Sequence, residues 1–447
     1  MRSPAFSAKV WLAPVICVAI VGGLVACGDT ALLPPEAGMG SNPTLPQPVK
    51  RLIPTVNIAP AKGWPEGQMP TPMAGLGVTA LAEGLDHPRW VYVLPNGDVL
   101  VAESNAPPKP EDGKGIKGAV MKQVMKKAGA GTPSANRITL LRDADGDGVA
   151  ELRSVFLQGL NSPFGMALVG NELFIANTDA VVKVPYVGGQ TVAGATPVKV
   201  TDLPGGPLNH HWTKSLIANA DGSKLYATVG SNSNVAENGM AVEEGRAAIW
   251  EIDRASGAKR LFASGLRNAN GMGWEPESKV LWTVVNERDE LGNDLVPDYL
   301  TSVKDGTFYG WPWAYWGQRV DKRVKPANPA MVARSVAPDY GLGSHVAPLG
   351  LVFSDARMPQ NYASGAFIGE HGSWNRKPLS GYKVVFVPFA GGRPKDAPID
   401  FLTGFLSADG KAYGRPVGVA LDGKGALLVA DDVGNVIWRV AGPAVPR

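Results

Sequence analysis

Asn96-Gly97-Asp98-Val99-Leu100-Val101-Ala102-Glu103 decides the fold, because the same arrangement returns five more times along the chain. A tight turn feeds a largely apolar run, and a small or polar residue follows it. The later copies are Gly170-Asn171-Glu172-Leu173-Phe174-Ile175-Ala176-Asn177, Gly222-Ser223-Lys224-Leu225-Tyr226-Ala227-Thr228-Val229 and Glu277-Ser278-Lys279-Val280-Leu281-Trp282-Thr283-Val284. Ala363-Ser364-Gly365-Ala366-Phe367-Ile368-Gly369-Glu370 and Gly423-Lys424-Gly425-Ala426-Leu427-Leu428-Val429-Ala430 complete the set. Glycine and small polar residues supply the turn, and short aliphatic or aromatic runs fit buried strands. Most copies follow a second short strand, such as Pro163-Phe164-Gly165-Met166-Ala167-Leu168 or Pro416-Val417-Gly418-Val419-Ala420-Leu421.

A period of roughly fifty to eighty-five residues suits four-stranded blades with insertions. Six such units around an axis predict an all-β, six-bladed β-propeller, whose radial closure leaves only short sheet edges. A pair of β-sandwiches is the rival architecture. The composition agrees with many short strands joined by turns: 45% hydrophobic, 19% charged, with 55 glycines and 38 prolines. A net charge of +3 with no strong basic block argues against a nucleic-acid partner.

The first residues predict export. Arg2 and Lys9 precede an apolar run over residues 10–26, too short for a stable membrane span. It ends Leu24-Val25-Ala26-Cys27, which resembles a bacterial lipobox, with Cys27 the residue that would carry the lipid. An ordinary secretory signal is the alternative. The expected division is a lipoprotein signal at 1–26, a Pro-rich tether at 27–73 and a propeller at 74–447. The tether could instead be a loop wrapped on the domain. Cys17 falls in the signal, so the mature chain would have neither disulfide nor Cys-x-x-Cys-His haem site. Residues 114–130 break the all-β pattern: Ile116, Val120, Met121, Val124 and Met125 recur at helical spacing against Lys117, Lys122, Lys126 and Lys127. They predict an inserted helix that packs on its own domain or meets a membrane or acidic partner.

Two stretches carry candidate chemistry: Pro207-Leu208-Asn209-His210-His211-Trp212-Thr213-Lys214 and Gly265-Leu266-Arg267-Asn268-Ala269-Asn270-Gly271. The chain has five histidines and two are adjacent here. His211 is the candidate base, because imidazole accepts a proton near neutral pH. Arg267 offers a permanently charged fork of donors for an oxyanion or carboxylate, unless it staples blades together.

These stretches resemble the soluble pyrroloquinoline quinone (PQQ)-dependent glucose/sorbosone dehydrogenases, and within them the sorbosone-dehydrogenase-like branch. The resemblance spans residues 81–440. It rests on Leu203-Pro204-Gly205-Gly206, Asn209-His210-His211, Gly265-Leu266-Arg267-Asn268, Asn286-Glu287-Arg288-Asp289-Glu290, Tyr309-Gly310-Trp311-Pro312, His345-Val346-Ala347-Pro348 and Arg415-Pro416, in that order. It implies that His211 is the general base, Arg267 the residue beside the quinone oxygen and Asn268 a cofactor contact. It also implies catalytic calcium on the main-chain carbonyls of Glu287 and Arg288. Arg376, Lys377 and Arg415 would meet the carboxylates of PQQ, with His345 near its rings. The glucose-oxidising branch differs at Tyr413, His345 and the calcium loop, which weakens glucose as the substrate.

The implied function is PQQ- and calcium-dependent oxidation of a sugar or related aldehyde or alcohol. Electrons would pass to an external cytochrome or quinone, on a protein lipid-anchored to a bacterial membrane and facing the periplasm or cell exterior. Two rivals stand beside it. One is a calcium-dependent lactonase or esterase using Glu103, Asn161, Asn270 and Asp431. The other is a non-catalytic binding propeller. Asp143-Ala144-Asp145-Gly146-Asp147-Gly148 reads either as a strand-joining turn or as a partial calcium loop, since Ser154 stands where an EF-hand has Glu.

Overall fold

Each of the six quoted runs becomes the second strand of an antiparallel sheet in the computed structural model, which describes residues 29–49, 55–108, 127–129 and 131–442. The first blade runs Pro88–Val93, Val99–Glu103, Arg137–Arg142 and Leu152–Gln158. The second is Met166–Val169, Glu172–Ala176, Ala180–Pro185 and Val198–Asp202. The third is Leu216–Ala218, Lys224–Val229, Ala248–Asp253 and Lys259–Ser264. Asn268–Trp274, Leu281–Asn286, Pro297–Val303 and Tyr340–Ser344 make the fourth, and Pro348–Phe353, Gly365–Glu370, Lys383–Ala390 and Ile399–Thr403 the fifth. The sixth combines Pro416–Leu421, Leu427–Asp431 and Val436–Ala441 with Gly77–Ala82 from the other end of the chain. Ala82 pairs with Ile437 and Gly77 with Ala441, so the first strand of the propeller closes its last blade.

The second strands are legible because both their faces are covered. Val99–Glu103, Leu281–Asn286, Gly365–Glu370 and Leu427–Asp431 are buried at every position, which removes the polar alternation of a one-sided strand. The innermost strands crowd the axis. A Cβ on Gly350 would run into the Val417 main chain, and one on Gly418 into Arg89 and Trp90. Only glycine permits that approach.

The proline-rich segment before the propeller packs against it as a belt. Met39–Gly40 pairs with Gly341 and Leu342 at the edge of the fourth blade, and Thr71–Pro72 with Leu402 and Thr403 at the edge of the fifth. Between them, Asn57 donates to the Trp374 carbonyl at 2.8 Å and Lys62 to that of Ala412 at 2.8 Å. Trp64 inserts among Phe405, Tyr413 and Trp438, and its Nε1 donates to Asp431 at 2.7 Å. The open edges of two blades supply backbone partners that proline-interrupted chain accepts in short pieces. A wrapped belt, rather than a free tether, therefore describes residues 29–49 and 55–72. The signal, Cys27 and most of the inserted helix lie outside the described residues.

Candidate functional site

Antiparallel pairing places the start of each inner strand beside the end of the second strand. Pro88 lies opposite Glu103, Asn268 opposite Asn286, Pro348 opposite Glu370 and Pro416 opposite Asp431. Loops that lead into inner strands and loops that leave second strands therefore meet at one end of the propeller. A cavity of about 240 Å³ opens there, and four of the five histidines line it: His210, His211, His345 and His371. Arg89, Trp212, Arg267, Asn268, Asp289 and Trp374 complete the polar part of its wall.

His211 sits on the connection from the second blade to the third. Its Nδ1 lies 2.8 Å from the Ser231 carbonyl. A carbonyl only accepts, so Nδ1 carries the proton and Nε2 keeps the lone pair that a base needs. Burial, and then the neighbouring Arg267, hold the ring well below its ordinary pKa, so it is neutral at neutral pH. Gly230 makes room for it, since a Cβ there would strike both His211 and Asn268. Lys214, fully buried, donates to the carbonyls of His211 and Trp212 at 3.3 Å each and fixes the bend of the loop.

Arg267 leads into the inner strand of the fourth blade and is 5% exposed. Its Nη1 donates to the Glu287 carbonyl at 2.6 Å and its Nη2 to Asp289 Oδ2 at 2.8 Å. Asn234 accepts from the same guanidinium through its carbonyl and its Oδ1. Asn268 lines the cavity beside it, with its Oδ1 buried and without a hydrogen-bond partner. His345 reaches the Gly292 carbonyl through Nε2 at 2.9 Å, while its Nδ1 lies 3.8 Å from Asp289.

Glu287 and Arg288 stand on the loop that leaves the second strand of the fourth blade. The Arg288 side chain turns fully inward, to Glu287, Asp321 and the Pro312 and Ala314 carbonyls. Glu287 keeps one carboxylate oxygen, Oε1, without a partner.

The three remaining cations of the implied cofactor site are placed differently. Arg376 lines a separate cavity under the belt and donates to the carbonyls of Asn293 and Pro378. Lys377 is exposed, with its main-chain N–H on Asn293. Arg415 is buried against the Tyr382 ring, at 5.0 Å, and donates to the belt carbonyl of Ala59 at 2.9 Å. None of the three is in the wall of the histidine-lined cavity.

Sequence reasoning passed over a second cluster in that wall. His371 Nε2 lies 2.9 Å from Asp432 Oδ2, Arg89 donates to the same oxygen, and His87 approaches it at 3.6 Å. Burial pushes Asp432 up, but His371, His87 and Arg89 overcome it and hold the carboxylate well below its usual range. Burial pulls His371 down to about 4. Arg89 also covers Trp212, 5.6 Å from the ring centre. The signal was present in Asp86-His87-Pro88-Arg89 and Gly369-Glu370-His371-Gly372, which enter and leave strands where the other site loops do.

The four residues of the lactonase alternative are each tied elsewhere. Glu103 is held by Arg137 and Thr139, Asn161 by Asp179, Asn270 by Thr213, and Asp431 by Trp64, Trp438 and the main chain of Arg415. The acidic turn of the first blade brings ligand atoms of Asp143, Asp145, Asp147 and Glu151 within 4.8 Å of one another, far along the chain from these loops. Asp143 accepts from the main chains of Gly146 and Gly148, as an ordinary turn requires.

Comparison with known proteins agrees with this architecture. A family model described as TrAA12-like matches residues 70–299 and 320–442. An uncharacterized protein of Borreliella burgdorferi is 29% identical over 293 residues, 63% of this chain and 76% of that protein. A pyrroloquinoline quinone-dependent pyranose dehydrogenase of Coprinopsis cinerea is 33% identical over 134 residues, 25% of this chain. The match spans only 18% of that enzyme. A calcium structure of the Trichoderma reesei member of carbohydrate-active enzyme family AA12 superposes with a TM-score of 0.68 at 20% identity, covering 87% of this chain and 99% of that one. At that identity the likeness shows the fold.

Proposed function

Since this chain belongs to the TrAA12-like family, we propose that it oxidises a sugar or related aldehyde or alcohol by hydride transfer to bound PQQ, with calcium as the second cofactor. The observation that carries the reading is the concentration of four histidines and two arginines around one cavity where the blade loops converge.

The wall fits an anionic, planar quinone. Arg89 Nε and Asn268 Oδ1 are a buried donor and a buried acceptor without partners, and Arg267, its N–H groups held by Asn234, Asn286, Glu287 and Asp289, adds positive charge to the same wall. Arg89, His371, Arg267, His345 and Asn268 would hold the cofactor; Arg376 and Arg415 tie down loop and belt carbonyls instead, and Lys377 is exposed. Calcium fits more narrowly. Oxygen-only donors suit a hard cation, and the Glu287 carbonyl has a second lone pair beyond the one Arg267 uses. The positive charge of Arg267 beside it opposes a divalent ion, and Asp289 and Glu287 are the groups that offset this.

When bound, PQQ supplies a two-electron acceptor for hydride. The protein's own task is the proton. With PQQ bound, a substrate C–H bond would give up its hydrogen and electron pair to that acceptor while the O–H proton would pass to His211 Nε2, leaving a C=O bond. Ser231 fixes the tautomer that makes this possible. Arg267 and Asn268 lie beside His211 in the same wall.

The test is a titration of purified protein with PQQ, with and without calcium, followed by absorbance and by sugar-dependent reduction of a dye. Saturable binding with calcium-dependent turnover supports the reading; a protein that binds no PQQ and reduces no dye leaves the non-catalytic propeller. We propose also that the chain is exported and anchored through a lipid on Cys27 and hands electrons to an external cytochrome or quinone. Cys27→Ser would then leave membranes for the aqueous phase of a detergent partition.

A further inference from the structure

A second and larger cavity, about 490 Å³, lies against the histidine-lined one. The two share Trp374 and Asn375 in their walls. On its far side the belt supplies Leu32, Pro46 and Val49, and the loop Glu290-Leu291-Gly292 closes it from the propeller. Val49 is tied to that loop through its N–H on the Leu291 carbonyl at 2.9 Å, so belt and loop form a continuous wall.

Two observations point to a ligand there. The first is volume. Sites for ligands of drug size run from about 300 to 1,000 Å³. The histidine-lined cavity, at about 240 Å³, lies below that range, yet the proposed reaction requires it to hold a quinone and the reacting sugar carbon. The rest of the substrate needs space beyond it. The second is an unmet polar atom in the shared wall. Asn375 is 7% exposed; its Nδ2 donates to Asp289 Oδ1 at 2.7 Å, but its Oδ1 has no partner. A buried amide oxygen without a donor is destabilising, and a hydroxyl group arriving from either cavity would satisfy it. Trp374, half-buried beside Asn375, adds an aromatic surface, and aromatic faces with a few placed polar atoms are what a pyranose ring binds.

The belt that builds this wall precedes the first residue that the family model matches, residue 70. We propose that the belt-walled cavity is a subsite for a second sugar ring, and that the substrates of this protein are disaccharides or longer saccharides that place one ring at His211 and the next beyond Trp374. The inference rests on the sugar-oxidising reading for the ring at His211, but the subsite makes its own claim on binding.

Two measurements separate these claims. Calorimetric binding of glucose, cellobiose and maltose to the whole PQQ- and calcium-loaded chain tests the subsite, and dye reduction with the same sugars tests the reaction. Val49→Trp fills the second cavity from the belt side and leaves every residue of the histidine-lined cavity in place. The expected result is binding of at least one disaccharide about tenfold tighter than glucose, with that advantage lost in Val49→Trp while glucose binding is unchanged. Equal binding of mono- and disaccharides, or a disaccharide advantage that survives Val49→Trp, overturns the subsite even if the sugars are oxidised. Tight disaccharide binding that Val49→Trp abolishes, without any dye reduction, upholds the subsite and fails the dehydrogenase reading. If the variant does not fold, Leu32→Trp places the same bulk from a position that is 85% exposed.

Discussion

Arg267 holds the main-chain carbonyl of Glu287 through Nη1 at 2.6 Å, which joins the start of the fourth blade's inner strand to the loop leaving its second strand. The same guanidinium grips Asp289 and Asn234, so one side chain fixes three parts of the site. The resemblance placed a catalytic arginine and a calcium-binding carbonyl separately; the geometry makes them direct partners. Arg267→Ala should cost turnover roughly 10²–10³-fold, the size of losing a charged group aimed at a developing oxyanion. Arg267→Lys should recover little, because a point charge cannot serve three acceptors in one plane. Steady-state kcat with a dye acceptor checks both. Side-chain changes at Arg288 should chiefly lower stability, since its side chain is fully buried among Glu287, Asp321 and two carbonyls.

Two histidines compete for the role of base, and their surroundings differ. His211 has its Nδ1 on a carbonyl, which fixes Nε2 as acceptor; the Nε2 of His371 is instead occupied by Asp432, although burial still holds that ring down at about 4. His211→Ala should lower kcat roughly 10²–10⁴-fold with PQQ still bound. His371→Ala should act mainly on PQQ affinity, read by titration of cofactor absorbance. The reverse pattern would move the base to the His371–Asp432 pair.

Much of the fold could be read because the second strand of each blade is buried on both faces. Ile175, Leu225, Val284 and Leu428 therefore announce themselves as apolar runs behind tight turns. The outer strands, such as Val198–Asp202 with its mostly exposed pattern, carry no comparable signal. The sequence left a tether and a wrapped loop both open for the belt, because Trp64 and Thr71 find their partners more than three hundred residues away, in Asp431 and Thr403. At the site, His211, Arg267, Asn268 and His345 line one cavity, since each sits where a strand begins or a loop enters one. Arg376 and Arg415 do not face the cavity, because nearby belt and loop carbonyls claim their donors. Arg89 and His371 escaped notice because each stands alone in sequence and only Asp432 brings them together.

Glu370 gives the stability of the propeller a specific pH dependence. Burial pushes its carboxyl up to about 8, partly opposed by Lys383, and neither oxygen has a hydrogen-bond partner. The folded state therefore binds this proton more tightly than the unfolded chain, whose glutamate titrates near 4.3. The contribution is fully present below about 4 and declines as pH rises towards 8. Glu370→Gln, which cannot ionise, should match the parent at pH 4 and exceed it at pH 9 in urea midpoint. A parent that loses no midpoint relative to the variant between those values would show that Glu370 is not held protonated.

The belt makes a claim on stability that a tether would not. Trp64 packs against three aromatic rings and donates to Asp431, a buried carboxylate that also accepts from Trp438 Nε1 and the main chains of Arg415 and Gly434. Burial raises the Asp431 pKa while these donors pull it down, so removing one leaves a poorly compensated charge inside the last blade. Trp64→Ala should cost about 2–3 kcal/mol, somewhat below the loss for a fully buried tryptophan, because this ring is only partly covered. Trp64→Phe keeps the packing and removes the donor, and should cost roughly 1–2 kcal/mol. The difference between the two variants in urea unfolding isolates the ring from its N–H. Unfolding midpoints equal to the parent in both would mean that the segment hangs on the propeller without supporting it, and the closure of the sixth blade would then rest on the pairing of Gly77–Ala82 with Val436–Ala441 alone.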